Sequence, residues 1–110
     1  MLAFSGKTRL FLYHESIDMR KGFEGLSAIV NVAFQGELTS GAYFIFLNRH
    51  RNLMKVLYWD HDGFAIWQKR LEKGRFAKND QQGILLERRE FFMLLEGITP
   101  RRLQKRYTDV

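Results

Sequence analysis

Asp60, Asp62 and Glu72 are the residues of this 110-residue chain whose types and spacing come closest to catalysis, with His61 between the first two. Paired carboxylates can hold magnesium for phosphoryl transfer. The stretch Asp60-His61-Asp62-Gly63 has a simpler reading as a tight turn between strands, in which Asp accepts backbone hydrogen bonds and Gly takes positive φ without steric cost. No second carboxylate cluster completes a two-metal site, and His14, His50 and His61 lack metal-ligand spacing. A phosphate-cradling Gly-rich loop, a serine elbow and a zinc pattern are all missing. The expectation is a protein that is not an enzyme, with no cofactor and no bound metal.

The cations make a stronger pattern. Lys69, Arg70, Lys73 and Arg75 fall within seven residues, Arg49 and Arg51 sit in the polar turn Asn48–Asn52, and Lys55 follows in the next strand. Net charge is +6, distributed unevenly: residues 1–40 carry four basic and four acidic side chains, residues 41–79 eight and three, and residues 80–110 six and five. The excess therefore belongs to the central hairpin. A second cluster, Arg101, Arg102, Lys105 and Arg106, lies near the C-terminus. Such cations neutralise phosphates and release counterions. Tyr58, Trp59 and Trp67 lie among them and could stack on bases, although core packing explains most of these rings. No helix-turn-helix or other reading head is evident, so sequence-specific groove reading is not supported.

Arg20 and Lys21 add a further candidate. Asp18 (or Ser16) is placed to cap a helix over about Met19–Phe34, in which Phe23, Leu26 and Val30 recur at helical spacing. Two cations in its first turn oppose the helix dipole by about 0.3–1 kcal/mol, and Gly22 and Gly25 each cost about 1 kcal/mol relative to Ala. One reading is an anion site at the helix N-terminus. The other is a solvated cationic face with glycines that permit close helix–sheet packing.

The remaining elements must position these residues. Residues 9–13 read as a short strand, 35–42 as a loop, and Tyr43–Leu47 as an interior strand apolar on both faces. Two strands follow across the Asp60–Gly63 turn, then a polar loop over 77–83 and a second helix over about Leu86–Glu96, with Gly97 as its C-cap and Pro100 ending regular structure. The order gives an α+β fold: a small antiparallel sheet, a meander of about four strands, with two helices packed against it. The two-sided strand 43–47 suggests cover on the second face, for which a second copy in a homodimer is one candidate. A single domain is expected over residues 1–98, with a basic, mobile tail over 99–110.

At this size a chain buries roughly 65% of its unfolded surface, and 45% apolar residues supply a core without staples. With no cysteine there is no disulfide or thiolate metal site. No targeting pattern or apolar run long enough for a membrane span occurs, so a soluble, cytoplasmic protein is the expectation.

Four motifs carry a resemblance. Asp18-Met19-Arg20-Lys21-Gly22-Phe23, Leu57-Tyr58-Trp59-Asp60-x-Asp62-Gly63, Lys69-Arg70-Leu71-Glu72-x-Gly74-Arg75-Phe76 and Leu94-Leu95-Glu96-Gly97-Ile98 occur in that order. Together, over about residues 9–98, they resemble the TnpB accessory protein (second open reading frame) of the insertion sequence 66 family of bacterial transposable elements. This TnpB is unrelated to the RNA-guided nucleases of the same name. The resemblance implies a small protein encoded beside a separate transposase and needed for efficient transposition, and it supplies no catalytic residues. The matched motifs contain Arg20, Lys21, Lys69, Arg70 and Arg75, which the charge pattern selects independently. The combined expectation is a transposition accessory protein that binds DNA through a basic hairpin surface. The alternative is a module that docks on the element's transposase.

Overall fold

The computed structural model describes residues 8–76, 84–86 and 88–95. Its elements are β1 (Leu10–Leu12), α1 (Phe23–Ala33), β2 (Tyr43–Leu47), β3 (Leu53–Asp60), β4 (Gly63–Arg70), β5 (Ile84–Leu86) and α2 (Arg88–Leu95). They form one five-stranded sheet in the order β4-β3-β2-β1-β5. β2 sits at its centre and is buried at every position, as a strand with no polar residue on either face must be.

The α+β class, both helices and the β2–β3–β4 meander agree with the sequence reading. The other half of the sheet differs. β1 runs parallel to β2, with Leu10 opposite Tyr43 and Leu12 opposite Ile45, because the whole α1 crossover lies between them and supplies the connection that parallel neighbours need. β5 extends the sheet antiparallel to β1. Three residues are too few to display alternation, so the pattern that extends the second helix back to Leu86 does not separate it from β5; the helix starts at Arg88.

The helix-bearing faces are distinct. On one face Leu26, Val30 and Phe34, from α1 and its C-terminus, pack with Phe44, Phe46 and Leu57. Phe11, Phe34 and Phe44 form a ring cluster there, with centroids 5.0–5.7 Å apart. On the other face Phe91 and Leu94 of α2, together with Phe76, pack with Ile45, Met54 and Val56. Strand 43–47 is thus covered twice by its own chain, and the argument for a second copy on that face falls away. Each fully buried side chain such as Phe91 contributes about 1.5–3 kcal/mol relative to exposure.

Helix α1 begins four residues later than Met19. Gly22 is its N-cap and makes no side-chain cap bond. Asp18 is committed elsewhere: its Oδ1 accepts the Arg20 backbone N–H at 2.9 Å, and its carbonyl accepts the Lys21 N–H at 3.1 Å, closing a turn before the helix. The first helical bond runs from Leu26 N–H to the Gly22 carbonyl. Gly25 faces the Lys21 side chain, which a Cβ there would meet at 3.1 Å. At the β3–β4 turn the positive φ belongs to His61, at 58°, and not to Gly63. Gly97, Pro100 and the tail lie outside the described residues.

Candidate nucleic-acid interface

The turn between β2 and β3 is built by Asn48. Its Oδ1 accepts the backbone N–H groups of Asn52 and Leu53 at 3.0 and 3.1 Å, and its Nδ2 donates to Asn52 Oδ1 at 2.6 Å. Within that clamp Arg51 adopts φ 54° and donates its N–H to the Asn48 carbonyl. Arg49 and His50 are exposed at the tip, and Arg51 is half-buried.

The chain leaving β4 folds back onto this turn. Leu71 N–H donates to the Asn52 carbonyl at 2.8 Å, and Phe76 N–H donates to the Arg51 carbonyl at 2.6 Å. Gly74, at φ 78°, allows the reversal between them, and the Phe76 ring anchors it with 1% exposure. Lys73 and Arg75 are exposed on this segment. Register places Arg70 opposite Leu53 and Lys69 opposite Met54. Alternation puts Arg70 on the α1 face and Lys69 on the α2 face. Arg49, Arg51, Lys69, Arg70, Lys73 and Arg75 therefore gather at one end of the sheet. Glu72 is an acidic residue among them, and none of the ion pairs joining described residues uses any of the six cations.

Lys55 reaches the same end by another route. Its Nζ donates to the Met19 and Lys21 carbonyls at 2.7 and 2.9 Å, tying the turn before α1 to β3. Its ammonium thus satisfies two backbone acceptors. Arg20 is likewise engaged: its guanidinium pairs with Asp18 at 2.5 Å and holds that carboxyl down at about 2. Lys21 lays its aliphatic stem over Gly25. Glu24 already occupies the first turn of α1, where a carboxylate complements the helix dipole. Asp18 therefore competes for Arg20 in the turn ahead of the helix, and α1 itself has no side-chain cap bond. The tail cations Arg101, Arg102, Lys105 and Arg106 lie outside the described residues.

The carboxylates that suggested catalysis are dispersed. Asp60 and Asp62 flank the turn at one end of the β3–β4 hairpin, whereas Glu72 follows its other end. Seven strand steps separate the ends, roughly 23 Å at ~3.3 Å per residue. Among the described residues, no group of three or more His, Asp or Glu is placed to hold a metal ion. Two of the three aromatics lie away from the cations, and Trp67, which shares the α2 face with Lys69, is committed to the core. Trp59 meets Phe64 edge-on at 5.0 Å near the acidic turn, Tyr58 packs on Tyr43 at 4.7 Å, and Trp67 packs on the α2-side core.

One feature was missed by sequence reasoning. The C-terminal ends of the parallel strands β1 and β2 open into a cleft of about 170 Å³ whose walls include Tyr13, His14, Glu15, Arg49 and Arg51. Tyr13 donates its hydroxyl to Glu15 at 3.2 Å, and burial, then Glu15, raises its pKa above the ordinary value. Only the parallel pairing creates this cleft, so a reading in which the sheet is wholly antiparallel could not place it. Elsewhere Arg9 is removed from the surface charge by a bidentate pair with Glu37, which lowers the Glu37 pKa and joins the start of β1 to the loop after α1.

Fold and site together define a small mixed-sheet α+β protein with one strongly cationic end and one acidic tip. The chain belongs to the IS66 Orf2-like family, whose profile, described as "IS66 Orf2 like protein", matches residues 8–105. Membership supports a transposition accessory role. Two curated relatives come from Sinorhizobium fredii (strain NBRC 101917 / NGR234). "Uncharacterized protein y4hO" is 31% identical across 96% of this chain and 93% of the relative. "Uncharacterized protein y4jC" is 28% identical across 96% and 92%. No solved structure matches the chain. Among the described residues, no helix is long and apolar enough to cross a membrane.

Proposed function

We propose that this chain is a non-enzymatic transposition accessory protein that binds DNA through the cationic end of its sheet. The observation that carries the reading is convergence: the β2–β3 turn and the β4 exit are separate in sequence, yet backbone bonds hold the two basic segments together at one end of the sheet. Arg49, Arg51, Lys69, Arg70, Lys73 and Arg75 are the phosphate contacts, and Arg101, Arg102, Lys105 and Arg106 supply an additional electrostatic arm. Phosphate contacts give affinity without base identity, which matches a site lacking a helix aimed into a groove.

Equilibrium binding of the purified chain to a labelled duplex tests the proposal. Replacing Arg49, Lys73 and Arg75 together by Ala should weaken binding on every duplex and flatten the salt dependence by about three units of slope. No binding at low salt, with retention only when the transposase is added, would transfer the cationic end to docking on an acidic transposase surface.

A further inference from the structure

β4 is an eight-residue strand at the edge of the sheet, paired among the described residues on one side only. Open edges invite a further strand, and proteins usually blunt them with charge, proline or shortness. Here the blunting is confined to one end. Lys69 and Arg70 are charged, whereas Gly63 to Trp67 carry neither charge nor proline, and all five are only half-buried. Phe64 and Ile66 line the α1 face of this edge, and Trp67 lines the α2 face.

The ladder shows which backbone groups are open. Leu71 N–H bonds to Asn52, so the odd-numbered residues of β4 exchange bonds with β3. Phe64, Ile66, Gln68 and Arg70 then direct their N–H and C=O groups outward. The hairpin is also electrically polar along its length, with Asp60 and Asp62 at one end and Lys69 and Arg70 at the other.

We infer that the edge of β4 pairs antiparallel with β4 of a second copy, joining two sheets into one of ten strands. A two-fold axis perpendicular to the sheet keeps each face continuous and pairs residues of equal parity. With Ile66 on the axis, Phe64 and Gln68 exchange hydrogen bonds with their counterparts, Trp67 covers the small Ala65 opposite, and Asp62 meets Arg70 at both ends. Sliding the register by two residues one way sets Asp62 against Glu72 and Phe64 against Arg70, and sliding it the other way sets Asp62 against Gln68 and gives up its ion pair with Arg70, so charge favours the first arrangement. A parallel pairing would bring like charge to like at both ends. The ion pairs are exposed and fix direction and register more than affinity. The closed two-fold symmetry also stops growth at two copies. The edge shares Arg70 with the DNA reading, whose other contacts, Arg49, Arg51, Lys69, Lys73 and Arg75, form no part of the hydrogen bonds or ion pairs of the strand pairing.

Sedimentation of the full chain without DNA, over a range of micromolar concentrations, tests the pairing. The expected result is a concentration-dependent species of twice 13.1 kDa. Gln68→Pro removes an outward N–H that β3 does not use, and should give monomer with an unchanged circular dichroism spectrum. Arg70→Asp should weaken the dimer at least several-fold, and adding Asp62→Arg should restore it. A single 13.1 kDa species at every concentration, a dimer that survives Gln68→Pro, or assemblies larger than two copies would overturn the inference. Should Gln68→Pro fail to fold, the charge exchange decides alone, and failure of Asp62→Arg to restore the dimer counts against it.

Discussion

Phe76 donates its backbone N–H to the carbonyl of Arg51 at 2.6 Å while its ring is buried against the α2-side core. One residue thus joins core to surface, since the bond closes the loop carrying Lys73 and Arg75 onto the turn carrying Arg49 and Arg51. The cationic end exists because an apolar side chain anchors it.

Truncating that anchor has a double consequence. Phe76→Ala should lower unfolding free energy by about 3–5 kcal/mol, from lost transfer and the cavity left behind. It should also weaken DNA binding under conditions where the chain remains folded, because the two basic segments separate. Denaturant melts beside binding curves at low temperature would show both; unchanged affinity in the folded variant would dissociate loop closure from binding.

Arg51 permits the opposite separation. Its φ of 54° lies in the left-handed region that costs a non-glycine residue roughly 1–2 kcal/mol. Arg51→Gly should therefore leave the midpoint of thermal unfolding unchanged or raise it, while reducing the salt slope of DNA binding by about one unit. Thermal melts and a salt titration of this single variant are sufficient.

Lys55 is expected to behave as a structural residue despite its charge. Lys55→Met removes charged donors from the Met19 and Lys21 carbonyls. The cost should be about 1.5–3 kcal/mol of stability, with little change in the salt slope. A slope reduced by a full unit with stability intact would mean that its ammonium faces phosphate instead.

This division between structural and surface cations was only partly legible in the sequence. Tyr43–Leu47 and the hairpin β3–β4 could be read because unbroken apolar runs and a turn signal leave few alternatives. The parallel placement of β1 could not, since pairing partners are chosen by tertiary packing across the α1 crossover. Met19 looked helical and Asp18 looked like its cap because cap residues and turn residues are the same types; the choice rested on Arg20, whose guanidinium holds the Asp18 side chain outside the helix. Likewise, Lys55 reads as a free cation until the carbonyls that it serves, far away in sequence, are in place.

Asp18 also sets a pH dependence. Arg20 holds its carboxyl at about 2 against an ordinary 3.8, through side-chain hydrogen bonds first and a backbone bond second. A folded-state value below the unfolded one means that this contribution is complete above 3.8 and is lost as pH falls toward 2. Carboxyl chemical shifts followed by NMR should titrate Asp18 in that low range, and Arg20→Gln should return it toward 3.8. An Asp18 midpoint already near 3.8 in the parent chain would show that the pair does not form in solution.

The most direct test is a salt titration of the purified chain against a labelled duplex carrying the element's terminal repeat, with a scrambled duplex alongside. If the six cations of the turn and the β4 exit neutralise about six phosphates, log affinity should fall against log salt with a slope near −5. Similar slopes on both duplexes would assign the contacts to backbone, and any offset between the curves would measure specificity. A slope near zero, or no binding at low salt, would contradict the account and direct the cationic end to a protein partner.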